Sequence, residues 1–465
     1  MPSWMAYQMQ TRRTAARRRL TRKAVRYVTT FLFVFILIYG ITGEAVYHMD
    51  PAEKQAADPT ESEQDGPLLT HQRSPENSPR IRREEIPDLL DKRVFVNLKA
   101  SSFDIANGKG TYRVQTTLDG DLQRYLLENL NRSYARYIAV VVMAPDTGRV
   151  LAMVGYDREN PRNNPCLDSH FPAASIFKIV AAAAAVEKGG FRPDSSIAYS
   201  GRKYTLYKFQ LEKPSKRATR SVSFKDAFAQ SINPVFGKLG VHYLGRDALR
   251  EYAEAFGFNR SLGFEIPFPP SEIAIKEIPY HWAEIASGFN RQTRISPLHG
   301  ALIASAVENG GCLMAPILVD AIADKTSRAV YQSAPSPIGR AVSSEASEIL
   351  RGLMEETVAT GTCRKTFRKA DRDPVLSRLR IGGKTGSINS RDHSYRRYDW
   401  FVGFAGDKEG DETIALSAIV VHDKFIGTKA REYGRMAIRH HFDRYFSNSD
   451  PSPEDGDRNG VRETL

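Results

Sequence analysis

The chain has 465 residues, 41% of them hydrophobic, and 66 Lys and Arg against 54 Asp and Glu give it a formal net charge of +12. That charge invites a nucleic-acid partner, but eight of the basic residues precede Glu44, and removing them leaves only +4 for the rest, with no basic aromatic stripe of the kind that binds DNA or RNA. Cys166, Cys312 and Cys363 and ten scattered histidines form no metal-ligand pattern, so neither a metal nor a cofactor is expected.

Arg12, Arg13, Arg17, Arg18, Arg19, Arg22, Lys23 and Arg26 stand before residues 27–43, 17 uncharged and mostly apolar positions. That length is at the short end of the roughly 17 to 25 residues that cross a bilayer. A cleaved signal peptide is the alternative, yet the run is longer than a usual signal core and no small-x-small cleavage site stands out near Gly43. Residues 1–26 are therefore expected as a basic cytoplasmic arm and 27–43 as a single-pass anchor in the cell inner (cytoplasmic) membrane. Positive charge stays on the cytoplasmic side, so the remainder should be extracytoplasmic. Residues 44–91 hold 12 acidic and five basic residues with repeated Pro, Ser and Gln, a composition that cannot bury a core and predicts a flexible acidic tether. Residues 92–446 are long enough for a substantial core in two lobes, and 447–465 read as a disordered tail. An odd number of cysteines in an exported chain permits one disulfide at most one way or another; small buried residues are the simpler reading.

Within the folded region, apolar runs at 138–143 and 150–155 around Pro145-Asp-Thr-Gly148 form a β-hairpin pattern. Ser175-Ile-Phe-Lys178 opens a helical pattern that runs through five alanines to Gly189-Gly190. Residues 223–361 are helix-rich by pattern, and 379–388, 400–405 and 414–421 supply three further strands.

Three short motifs carry chemistry. Ser175 and Lys178 lie almost one helical turn apart, so the amine can reach the hydroxyl. A serine is a poor nucleophile until a base takes its proton, and a lysine can do so if burial or another cation suppresses its charge. Ser231-Ile-Asn233-Pro234 follows, then Lys384-Thr385-Gly386-Ser387. Each has a plain structural explanation. Ser and Lys share many solvated helix faces, Asn233 before Pro234 looks like a helix cap with proline in the first turn, and the glycine-rich run could be a loop.

All three in this order resemble the penicilloyl serine transferases, the family of penicillin-binding proteins and serine β-lactamases. The likeness extends to Gln115-Thr-Thr-Leu-Asp119, Ala144-Pro-Asp-Thr-Gly148, Ile295-Ser-Pro-Leu298, Glu308-Asn-Gly-Gly311, Gly361-Thr362 and Asp399-Trp-Phe-Val-Gly403, and covers roughly residues 111 to 422. The resemblance implies an α+β fold: a five-stranded antiparallel sheet flanked by helices, joined to an all-helical lobe across a cleft. It implies a peptidoglycan D,D-transpeptidase that acylates Ser175 with stem peptides ending in D-Ala-D-Ala and is inhibited by β-lactams. By the same likeness Lys178 is the base, Ser231 relays a proton, Asn233 fixes the substrate amide, and Lys384 keeps Lys178 neutral. The backbone N–H groups of Ser175 and Ser387 form the oxyanion hole; Thr385, Gly386 and Ser387 bind substrate, and Gly382 and Gly383 let its backbone lie close. The alternatives are a D,D-carboxypeptidase or serine β-lactamase, and a non-turnover penicillin sensor or envelope scaffold. Partners would be stem peptides, β-lactams, the membrane and a separate glycan polymerase. Two departures stand out. Ser387 replaces the usual threonine, and fewer than 70 residues between anchor and first motif leave no room for a glycosyltransferase domain.

Overall fold

The computed structural model describes residues 81–107, 110–212, 219–391 and 396–449, so the anchor, most of the tether and residues 450–465 lie outside the described residues. Among the described residues no helix is long and apolar enough to cross a membrane.

Five antiparallel strands form the main sheet: β3 (Ala135–Met143), β4 (Val150–Asp157), β9 (Leu379–Asn389), β10 (Arg397–Asp407) and β11 (Thr413–His422). They are ordered β9-β10-β11-β3-β4. The two ends of the chain thus meet between β11 and β3, and β9 is an edge strand. Successive side chains of a strand point to opposite faces. In β3 Ile138, Val140 and Val142 join one core with Phe401, Leu416 and Phe442, while Ala139, Val141 and Met143 join the other with Leu298 and Leu302. Burial on both faces explains why β3 reads as an uninterrupted apolar run rather than an alternating one. Helix α7 (Pro297–Glu308) covers one face; α1 (Gly120–Glu128) and α9 (Ala430–Ser449) cover the other.

The second lobe is not all-helical. Around α2 (Lys178–Glu187), α3 (Phe224–Ala229), α4 (Asn233–Leu239), α5 (Gly245–Ala255), α6 (Pro279–Ala286) and α8 (Ser344–Ala359) sits a hairpin of β5 (Ser196–Ser200) and β6 (Thr219–Ser223). A separate four-stranded sheet is ordered β1 (Ser102–Asn107), β2 (Gly110–Thr116), β7 (Val319–Asp324), β8 (Ala329–Gln332). The 312–340 stretch, expected as helix-rich, is therefore built of short strands. Pro316, Pro335 and Pro337 deny it an uninterrupted helical hydrogen-bond ladder.

Folded structure also begins earlier than expected. Residues 81–91, read as tether, form a 3-10 turn at Arg83–Glu85 and a short helix at Ile86–Leu89. Ile86 and Leu90 are buried in the main core, and Arg83 donates to the Pro316 carbonyl and lies 3.6 Å from the buried Glu265 carboxylate. Two apolar side chains and one cation suffice to fix a segment whose composition is otherwise that of a linker. At the other end α9 continues through Ser449, past the expected boundary at 446. All three cysteines are free thiols, with Cys166 and Cys363 buried.

Candidate active site

Ser175 lies in a 3-10 turn, Ala174–Phe177, that leads directly into α2 at Lys178. The residue before it, Ala174, has φ +49°, and Ser231 has φ +55°, left-handed conformations that cost non-glycine residues energy and cluster at functional sites. Gly288 supports the first of these. It has φ +66°, and a Cβ there would come 1.9 Å from the Ala174 carbonyl oxygen, so only glycine lets the 287–290 loop press against the turn that presents Ser175.

Lys178 is completely buried and its amine has three partners: the Ser175 hydroxyl at 2.9 Å, Asn233 Oδ1 at 2.8 Å and the Ser287 carbonyl. Burial drives its pKa well below the ordinary lysine value, and the nearby Lys384 cation pushes the same way. A neutral amine has two N–H donors and one lone pair. Asn233 Oδ1 and the Ser287 carbonyl can only accept, so the lone pair falls to the Ser175 hydroxyl, the one partner of the three able to donate. The second lysine is placed similarly. Lys384 is fully buried, donates to Ser231 Oγ at 2.9 Å and to the Thr385 carbonyl at 3.0 Å, and is pushed down to about 7 by burial. The Phe236 and Phe228 rings lie 5.4 and 5.5 Å from the Lys178 and Lys384 nitrogens, giving each amine an apolar wall that water would otherwise occupy.

Asn233 is the first residue of α4, not its cap; Ile232 occupies the cap position and Pro234 the next turn position. Its side chain is thereby released to Lys178, while its backbone N–H is held by the Lys203 carbonyl at 2.7 Å. Lys384-Thr-Gly-Ser387 is edge strand rather than loop, and Thr385 and Ser387 fall on its more exposed side. Gly386 lets β9 approach the nucleophile: a Cβ there would lie 3.3 Å from the Ser175 backbone nitrogen. Gly382 and Gly383 have a different role from the expected one. A Cβ on either would run into the rings of Phe404 or Phe401, at 2.2 and 2.5 Å, so these glycines admit core aromatics of β10 rather than substrate.

Three participants had no role assigned from sequence. The Ser287 carbonyl accepts a hydrogen bond from the Lys178 amine, and nothing in its local sequence signals this. Thr362 and Thr385 share a 2.6 Å hydroxyl contact, and Ser387 Oγ donates to Asp399 Oδ1 at 3.1 Å. Both Gly361-Thr362 and Asp399-Trp-Phe-Val-Gly403 were recognisable motifs, but their pairing with β9 depends on the register that sets Ser387 opposite Asp399. Burial alone would raise the Asp399 carboxyl. The adjacent His422, the Ala430 N–H at 3.0 Å and the Ser387 hydroxyl outweigh it and hold Asp399 below the ordinary value, as an anion. Among the described residues no carboxylate hydrogen-bonds to Ser175, Lys178, Ser231 or Lys384. The assembled groups can deprotonate Ser175, hand a proton onward through Ser231, and stabilise an anion beside the Ser175 N–H.

The sequence family described as the penicillin binding protein transpeptidase domain matches residues 138–438. Stage V sporulation protein D of Bacillus subtilis is 25% identical over 333 residues, which cover 66% of this chain and 49% of that protein. The peptidoglycan D,D-transpeptidase PbpA of Mycolicibacterium smegmatis is 25% identical over 378 residues, 71% of each chain. The present chain thus spans about half the length of the first relative and most of the second. The ceftriaxone acyl-enzyme structure of penicillin-binding protein A from Mycobacterium tuberculosis superposes with a TM-score of 0.57 at 23% identity, covering 70% of this chain and 79% of that one, a likeness of fold.

Proposed function

Because the chain belongs to the penicillin-binding protein transpeptidase domain family, we propose that it is a peptidoglycan D,D-transpeptidase that works through an acyl-enzyme on Ser175. The observation that carries this is the pair of buried lysines, one on each serine, with the Lys178 pKa driven down by burial and by Lys384. Ser175 Oγ attacks the carbonyl of the penultimate D-alanine while Lys178 takes the hydroxyl proton. Negative charge on the carbonyl oxygen is met by the Ser175 and Ser387 N–H groups, donors whose individual loss costs about 10²–10³ in rate. Ser231, backed by Lys384, passes a proton to the departing D-alanine amine, and Thr385 and Ser387 face its carboxylate. An acceptor amine then attacks the acyl carbonyl and restores Ser175. Among the described residues no carboxylate hydrogen-bonds to Lys178 or Lys384, which supports transfer to an amine over hydrolysis.

Residues 27–43 serve, on this reading, as a membrane anchor that holds the catalytic domain outside the cytoplasmic membrane, where a separate polymerase supplies glycan. The eight basic residues before the apolar run support it. External protease should release the domain by cutting within residues 44–80; a mature protein beginning near Glu44 would instead mark a signal peptide.

A fluorescent penicillin should label the protein covalently and Ser175→Ala should not label while keeping its thermal midpoint. With a stem-peptide donor and an amine acceptor, cross-linked product should exceed hydrolysed product. Label on the alanine variant refutes the nucleophile; release of penicilloate within seconds refutes the transferase assignment.

A further inference from the structure

The Ser387 hydroxyl has one proton, and the structure commits it. Its partner, Asp399 Oδ1 at 3.1 Å, is a carboxylate and can only accept, so Ser387 must be the donor. The other Asp399 oxygen accepts the Ala430 N–H at 3.0 Å, which fixes the carboxylate at the start of α9. His422 Nε2 lies 3.9 Å from that oxygen, beyond hydrogen-bond reach, and has no hydrogen-bond partner among the described residues. Ser387 and Asp399 stand opposite each other on β9 and β10, so their side chains share one face of the sheet; Asp399 is buried there and Ser387 exposed, and with its proton turned to Asp399 the hydroxyl presents lone pairs to the cleft.

A carboxylate arriving at this position meets an acceptor where it needs a donor, with the Asp399 anion 3.1 Å beside that acceptor. Thr385 can still donate, because Thr362 at 2.6 Å can supply the other half of their shared contact. We infer that Asp399 is a specificity-determining residue that acts through Ser387 to weaken binding of the carboxylate flanking the scissile bond, leaving Thr385 as the hydroxyl donor to it. This rests on the transpeptidase reading and concerns how its donor is held, not whether Ser175 is acylated. A weakened hold on the carboxylate also favours departure of free D-alanine once the acyl-enzyme has formed.

The test compares benzylpenicillin with its methyl ester, which differ in the charge at this position, by following the penicilloyl adduct on intact protein by mass spectrometry. Asp399→Asn keeps an oxygen for the Ala430 N–H and turns an N–H toward Ser387, which frees the serine proton for the cleft. A hydrogen bond regained by a charged group is worth roughly tenfold or more. The variant should therefore acylate with the acid about tenfold faster at sub-saturating concentration, through tighter binding with an unchanged limiting rate, and with the ester within about twofold of wild type. Asp399→Ser, which removes the charge with a smaller side chain, reads the same acid-to-ester ratio should the asparagine variant fold poorly. An unchanged ratio, or a slower reaction with the acid, overturns the inference while leaving the acyl-enzyme reading intact. Failure of both probes to modify the wild-type protein removes that reading and this inference together.

Discussion

Lys178 has to be a base in a protein where lysine is ordinarily a cation, and its surroundings decide the matter. Burial is the larger cause of its depressed pKa and the Lys384 charge the smaller. Acylation requires the neutral amine, so its rate should rise with pH to a plateau whose midpoint lies well below the ordinary lysine value near 10.5. Lys178→Ala should slow acylation by about 10²–10⁴, the usual yield of a positioned general base, with little change in binding. Lys384→Met removes a neighbouring positive charge. The Lys178 cation is then less disfavoured, its pKa rises, and the midpoint of the pH profile should move upward; stopped-flow labelling across pH checks both. A profile that stays where it was would show that Lys384 does not act on Lys178 electrostatically.

At the scale of elements, the site depends on close approaches that only small residues permit. The 287–290 loop meets the Ser175 turn through Gly288, where a Cβ would overlap the Ala174 carbonyl and where φ is +66°. Gly288→Ala should cost about 1–3 kcal/mol from backbone strain alone, and it should slow acylation because it displaces Ser175 and the Ser287 carbonyl together. Parallel thermal melts and labelling rates separate the two effects; an alanine variant with wild-type labelling would show that the turn can shift without moving the nucleophile. The N-terminal segment offers a second measurement. Ile86 and Leu90 are buried, and full burial of such a side chain contributes about 1.5–3 kcal/mol. A soluble form starting at residue 81 should therefore melt higher than one starting at residue 92, although composition assigns both cuts to the same linker.

For the whole molecule, two buried amines make stability depend on pH. Lys384 is held near 7, whereas in the unfolded chain it titrates near 10.4. Between those values the unfolded state binds a proton that the folded state does not, so stability rises with pH, by up to about 1.4 kcal/mol per unit for each such group. Below about pH 7 the folded lysine is protonated too and this dependence ends. Cys166 and Cys363 work in the opposite direction. Burial pushes their thiols up to about 12, so once unfolded thiols begin to ionise near pH 8.5 the folded state loses ground. The chain should consequently gain stability from about pH 7 to about 8.5 and level off or fall above it, and Lys384→Met should flatten the rise. Urea unfolding at intervals of pH measures this directly; a slope unchanged by the substitution would mean that Lys384 is charged in the folded protein.

Ser175, Lys178, Ser231, Asn233 and Lys384 were legible as candidates because their three short motifs stand in the order of a known family; the spacing within each motif alone had a plain structural explanation. Strands such as β3 and β11 were legible too, since burial on both faces leaves apolar runs that need no partner to be recognised, whereas the edge strand β9 carries Lys384, Thr385 and Ser387 and its glycine-rich part could equally be read as a loop. The small strands at 312–340 were not, because β7 pairs with β2 some 200 positions away and local composition there is ambiguous. Nor was the anchoring of residues 81–91, where two buried side chains outweigh an acidic surrounding. The roles of Gly382 and Gly383, the Ser287 carbonyl and Asp399 were decided by tertiary structure alone. Residue types at a given spacing determine which chemistry a chain can attempt, but which proton each group keeps depends on burial and on cross-strand register, and both are properties of the folded chain.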